Sequence, residues 1–452
     1  MKIHTPRRIQ ILLLMVSLCS ASPSAHALDG LRMDEVISSL SPHAYMGSLL
    51  VAEGDDIVLH RGYGYANLEW GAPNDRTTKF LIGPLTKQFT AAAILLLSEQ
   101  GKLSVQDPIS KHLSDAPAAW SGITIYHLLT HTSGITNLQA LPDFIWSEPF
   151  PTSPARTIAR VVELPLEFEP GTAYDYSNTG YVILGAIIEA VSGVDYAVFL
   201  KQAIFAPLGM QNTGYASNST ITSQRASGYS HASEGLSNAR YIHMSLPFAA
   251  GGLYSTSGDL HLWMRGLFGG KVLSEVSLAA MLTPNIDDYG FGLAISEHDG
   301  LKKIWHVGGI NGFGATMAYF PERDLSIVVL SNMETRPATM VEKYLQVLAL
   351  GGKVTLVSER QEIDLPERAL RRFEGVYRTT PEFAITITLN AGVLTAQGTG
   401  DQVGLEIYPE SKTRFFSRRA DVQYEFVSTG DDEVSHLVFT GIGGTFIATR
   451  EQ

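Results

Sequence analysis

Of 452 residues only one is cysteine, Cys19, so neither a disulfide framework nor thiol catalysis can be built from more than that single sulfur. Positive charge is also scarce. The formal charge of −12, with no basic patch and no aromatic RNA-binding signature, excludes nucleic acid as an expected partner. Long apolar runs are missing too: no stretch reaches the roughly 18 uninterrupted apolar residues of a membrane-spanning helix. Hydrophobic residues make up 45% and charged residues 17%, which is globular and not disordered chemistry.

The first 27 residues read as a cleavable leader. Lys2, Arg7 and Arg8 form a basic start, Ile9 to Leu18 an apolar stretch, and Ala25-His26-Ala27 a small-x-small cleavage motif. Cleavage after Ala27 removes three positive charges and no negative ones, and it removes Cys19. A lipid anchor on Cys19 fits poorly, because bulky Leu18 precedes it. The mature chain is expected to be periplasmic or secreted, disulfide-free, without a transmembrane segment, metal or cofactor.

Alternating residues 45–68 around Glu53-Gly54-Asp55-Asp56 predict a β-hairpin. From Thr86 to Lys102 the period turns helical, with Phe89, Ala92, Ala93, Leu96 and Leu97 on one face and Gly101 near the stop. A second helix is expected from Asn178 to Val191, ended by Gly193. Strands return at 291–297, 302–307, 313–320 and 325–331, before a helix over about 337–350. Strands at both ends with helices between them predict an α/β (α+β) fold, one antiparallel sheet carrying an inserted helical region. After Gly352 the texture changes. A charged linker, 353–367, leads into eight short alternating segments: 373–377, 383–389, 393–397, 404–408, 413–417, 422–427, 435–440 and 444–449. These predict a small antiparallel barrel or sandwich over 368–452.

One more absence decides the chemistry. The string Phe80-Leu81-Ile82-Gly83-Pro84-Leu85-Thr86-Lys87-Gln88-Phe89-Thr90 has the surroundings of a Ser-x-x-Lys motif, with proline where the serine belongs. Farther on stand Tyr176-Ser177-Asn178, within Glu169-Pro170-Gly171-Thr172-Ala173-Tyr174-Asp175, and Trp305-His306-Val307-Gly308-Gly309. The segments His127 to Gly134, Gly251 to Thr256, and Tyr289-Gly290-Phe291-Gly292 fall between them in order. Over residues 30–350 the chain resembles the serine β-lactamase and penicillin-binding-protein superfamily. The likeness is strongest to the class C β-lactamase-related branch, with its esterase, D-aminopeptidase and D,D-carboxypeptidase relatives. The resemblance implies a serine-hydrolase domain over 28–352 and a site formed by Lys87, Tyr176, Asn178 and His306. Gly308 and Gly309 would lie beside the substrate, and the ligand would be a small molecule or short peptide, a cell-wall fragment being one such candidate. His306 replaces the lysine of true β-lactamases, which disfavours grip on a β-lactam carboxylate, since histidine near pH 7 is mostly neutral.

A serine in such a motif attacks the carbonyl once a nearby base takes its proton, and its own backbone N–H helps hold the oxyanion. Proline offers neither group. Loss of one oxyanion donor typically costs about 10²–10³ in rate, and loss of a nucleophile about 10⁶. Folding suffers less, because proline fits the first turn of a helix, and its ring biases Gly83 toward extended geometry. Serine and proline codons can differ by one base, so a sequence variant would leave the same trace.

Substitute nucleophiles are few. No lysine has a serine three positions before it. Thr86 is expected about 200° around the helix from position 84, away from the cleft. Gly228-Tyr229-Ser230-His231-Ala232 approaches a nucleophile elbow but lacks its final glycine, and a polar loop is expected there. His127 and His131 have zinc spacing without the glutamate that a metalloprotease requires, so packing is the better reading. Three functions stay open: a hydrolase homologue that binds without acyl transfer, a hydrolase using water activated by Lys87 and Tyr176, and an envelope interaction protein with a vestigial cleft. The water route has little room, since proline fills the space.

Overall fold

The computed structural model describes residues 28–451, apart from 233–234, 401–403, 420–421, 429–432 and 442–443. The expected leader, its cleavage motif and Cys19 lie outside the described residues.

The N-terminal hairpin forms as β1 (Gly47–Glu53) and β2 (Asp56–Tyr63), turning at Gly54 with φ +61°. After the helical insertion come β3 (Ala294–His298), β4 (Leu301–Ile310), β5 (Phe313–Phe320) and β6 (Leu325–Ser331). The sheet order is β3-β4-β5-β6-β1-β2, every pair antiparallel. The join between the two ends of the chain is β1 on β6, from Gly47 opposite Ser331 to Glu53 opposite Leu325. All residues of β5 and β6 are buried, as expected of strands covered on both faces.

Helices α1 (Gly30–Ser38) and α5 (Thr335–Ala349) cover one face, packing Met33, Val36 and Ile37 with Ile327, Val341 and Leu345. The other face carries α2 (Thr86–Glu99), α3 (Asn178–Ser192) and α4 (Ser257–Phe268) in a second, larger core. Helix α2 stops earlier than its apolar period predicts. Gly101 takes a left-handed turn (φ +69°), and the Lys102 N–H returns to the Leu97 carbonyl at 3.0 Å. Helix α3 begins on the Ser177 hydroxyl, which accepts the Gly180 N–H, and ends at left-handed Gly193.

The first part of 353–367 packs against the first core, whereas its later part joins the C-terminal strands, with the Ile363 N–H on the Pro409 carbonyl and Leu365 against their core. Leu356 is buried with α1, while Arg32 donates to the Val354 carbonyl (2.6 Å) and to Glu359 (2.7 Å). The C-terminal strands are β7 (Gly375–Thr380), β8 (Phe383–Asn390), β9 (Val393–Gly398), β10 (Leu405–Pro409), β11 (Arg414–Ser417), β12 (Val422–Ser428), β13 (Val434–Gly441) and β14 (Gly444–Arg450). Strand β7 pairs with β14, Tyr377 opposite Arg450, so the sheet closes into a barrel and is not a sandwich.

The loop expected at 228–232 is not found. Tyr229–Ala232 is a strand hydrogen-bonded to Gly235–Asn238, not a loop. Its anchor is Tyr229, 3% exposed, whose hydroxyl accepts the Leu68 N–H at 2.7 Å and donates to Glu69 at 2.5 Å. That long-range contact stabilises strand geometry in a polar stretch.

Candidate active site

Position 84 is held by a short strand and a tight turn. Phe80–Leu81 pairs with Leu253–Ser255, and Gly83–Leu85 then forms one 3-10 turn leading into α2. Gly83 is not extended; its φ is +48°. Proline disfavours the right-handed helical region for the residue before it, and glycine alone enters the left-handed one cheaply. That choice lets the Leu85 N–H reach the Ile82 carbonyl at 3.2 Å.

Strand β4 runs directly against this turn. A Cβ on Gly308 would stand 2.2 Å from the Ile82 carbonyl oxygen, and one on Gly83 would stand 3.1 Å from the Gly309 oxygen. The glycines of His306-x-Gly308 therefore serve close backbone approach. Of the two expected beside the substrate, Gly309 borders the pocket next to Pro84, whereas Gly308 lies behind it against Ile82.

Lys87, one helical turn after Pro84, is fully buried. Its Nζ donates to Asn178 Oδ1 (2.7 Å) and the Ala250 carbonyl (2.9 Å), and lies 4.7 Å from the centre of the Tyr176 ring. Burial holds its amine well below the ordinary lysine range. A neutral amine has two N–H groups, which matches the two acceptors and leaves one lone pair. Tyr176 is the weaker base candidate, because burial pushes its phenol well above the usual tyrosine range. Asn178, first residue of α3, also donates through Nδ2 to Gln139 Oε1 at 2.7 Å. Lys87, Tyr176 and Asn178, separated in sequence, thus meet at one place.

His306 meets them from behind. It is 5% exposed, with Nδ1 against the Val307 carbonyl at 2.8 Å and Nε2 against the Tyr289 hydroxyl at 2.9 Å. Burial, with Lys87 nearby, lowers its pKa to about 3. The neutral ring donates from Nδ1, so Nε2 accepts the Tyr289 proton and both nitrogens are engaged. His131 packs at a tilt on Tyr176 (ring centres 4.3 Å, planes 38° apart) and its Nδ1 accepts the Ser177 N–H at 3.1 Å, a packing role. Among the described residues no cluster of three metal-ligating side chains occurs. Thr86 is also engaged elsewhere, its hydroxyl accepting the Leu253 N–H at 3.2 Å.

The pocket over this group is small, about 80 Å³, and its lining includes Pro84, Gln139, Phe144, Glu148, Asn178 and Gly309. Among the described residues, no serine, threonine, tyrosine, cysteine or histidine lines it. Sequence reasoning missed Tyr289 as a partner of His306, although its Tyr-Gly-Phe-Gly string is visible. It also missed Glu148, a 5% exposed residue paired with Arg240 at 3.3 Å, which sits in no motif.

An antiparallel sheet between helices, with a lysine, a Tyr-x-Asn and a His-x-Gly converging on one turn, defines the class: a β-lactamase/transpeptidase-like fold. The residue pattern describing the beta-lactamase family matches residues 42–351, and the chain belongs to that family. A penicillin-binding protein of Bacillus subtilis (strain 168) is 30% identical over 450 residues, covering 90% of this chain and 95% of that protein. The octameric penicillin-binding protein homologue from Pyrococcus abyssi superposes with a TM-score of 0.66 at 26% identity, over 93% of this chain and all of its own (100%). D-amino acid amidase from Ochrobactrum anthropi, solved with L-phenylalanine amide, superposes at 0.62 with 25% identity, over 71% of this chain and 97% of its own.

Proposed function

We propose that this chain is an exported β-lactamase-family protein that binds a short peptide, amide or ester in the pocket at Pro84 without forming an acyl-enzyme. The observation that carries the reading is the pocket wall: no hydroxyl or thiol side chain among the described residues borders it, and proline occupies the nucleophile position. Lys87 and Tyr176 remain as an acid–base pair with no hydroxyl to activate. Ser257, whose hydroxyl lies 3.1 Å from His60 Nε2, is fully buried beside Ser48 and offers no replacement.

The relatives support the ligand class. Proteins named for penicillin binding and for D-amino acid amidase activity share the fold at 25–30% identity. The water route fares worse, since Lys87 lies beneath Asn178 and does not itself border the pocket. Calorimetric titration with a D-alanyl-D-alanine peptide, a D-amino-acid amide and benzylpenicillin tests the proposal, with product followed by chromatography. Saturable binding of at least one ligand without product is expected. Turnover above background that disappears in Tyr176→Phe would overturn it in favour of an activated water, and no binding at all would leave the cleft vestigial.

A further inference from the structure

The C-terminal barrel is packed at one end and hollow at the other. At the packed end, Phe373, Phe415 and Phe426 form an aromatic plug with ring centres 4.4–5.4 Å apart, closed by the turn over Glu367–Phe373. At the other end lies a cavity of about 820 Å³, bounded by the barrel mouth and by Met340 and Tyr344 of α5. An eight-stranded barrel is just wide enough either to be filled by side chains or to hold one small ligand. This one does the first over part of its length only.

Alternation along the strands ties the cavity to the lumen. Val422 and Tyr424 face the cavity and Phe426, next on the same side of β12, belongs to the plug. On β8, Ile385 borders the cavity and Ile387 continues the core; on β13, Phe439 borders it and Leu437 continues. Tyr424, Phe439 and Phe446 form a stacked row to the rim, at 6.5 and 5.1 Å between centres. Phe446 is still 48% exposed there. The volume falls within the roughly 300–1,000 Å³ of small-molecule sites.

The rim carries charge. Arg336 and Arg419 border the cavity, and neither makes an ion pair or side-chain hydrogen bond among the described residues, while Glu334 is the acidic residue beside them. We infer that the barrel mouth binds a single-chain anionic amphiphile, its alkyl chain running along the aromatic row and its carboxylate at Arg336 and Arg419. This site is separate from the pocket at Pro84 and does not depend on the function proposed for it.

Full-length protein titrated with 11-(dansylamino)undecanoic acid should show a saturable fluorescence rise at one equivalent. Dodecanoate should displace the probe more strongly than decanoate, by about fourfold per methylene if each buries fully. Dodecanol should displace it at least tenfold less well. Ala396→Trp fills the lumen and should abolish binding. Arg336→Glu with Arg419→Glu, a change confined to exposed side chains, should weaken dodecanoate at least tenfold and leave dodecanol unchanged. Absence of probe binding, binding that persists in a folded Ala396→Trp protein, or equal displacement by dodecanol and dodecanoate would each overturn the inference.

Discussion

Lowering the pH places a proton at position 306 of the unfolded chain that the folded chain refuses. His306 titrates near 6.5 when unfolded and near 3 in the fold, where burial disfavours the imidazolium. A base whose folded pKa is depressed leaves stability intact above the unfolded value and removes it as pH falls through the interval. Each pH unit inside that interval costs about 1.4 kcal/mol. From pH 7.5 to 4.5 the loss attributable to His306 is therefore roughly 2.5 kcal/mol. His131 is held low as well, so the total slope of the protein is steeper, and a variant is needed to isolate one ring. All five tryptophans, Trp70, Trp120, Trp146, Trp263 and Trp305, precede residue 352, so their fluorescence reports the first cores and not the barrel. Urea unfolding followed by tryptophan emission, at half-unit steps between pH 7.5 and 4.5, should show wild type losing about 2.5 kcal/mol more than His306→Gln. Parallel curves for the two proteins would refute a buried, neutral His306.

Three further outcomes follow from packing. Gly308→Ala forces a methyl against the Ile82 carbonyl and should destabilise the first cores by at least about 1–3 kcal/mol in the same urea assay. Tyr289→Phe strands His306 Nε2 without a donor and should cost about 1–3 kcal/mol at pH 7.5, with no cavity to account for it. Phe426→Ala empties the barrel plug and should lower the barrel's calorimetric transition by about 3–5 kcal/mol while leaving tryptophan-detected unfolding less affected.

Elements whose signal is local were legible from the chain. Strands 313–320 and 325–331 are mostly apolar, broken only by Gly314, Thr316, Ser326 and Ser331, and the eight C-terminal strands alternate between turn residues, so each emerged within a few residues of where it was expected. The convergence of Lys87, Tyr176 and Asn178 followed from motif resemblance alone, because their contacts span 91 residues and no period predicts them. What stayed hidden depends on partners far away in sequence or on closure of the whole. Barrel and sandwich share the same strand pattern, and the pairing of Tyr377 with Arg450 decides between them. Gly83 was misjudged because the proline rule forbids one region of backbone space without saying which of the others a tight turn selects. Tyr229 made a strand of a polar stretch by reaching Leu68 and Glu69.

Under the proposed function, position 84 and nothing else nearby withholds the nucleophile. Intact-mass spectrometry after incubation with benzylpenicillin or a fluorophosphonate probes it directly, on wild type and on Pro84→Ser in parallel. The expected result is an unmodified wild-type mass and a single adduct on the Pro84→Ser protein, mapped to residue 84 by peptide fragmentation. A wild-type adduct at any residue bordering the pocket, or a folded Pro84→Ser protein that stays unmodified by both reagents, would contradict it.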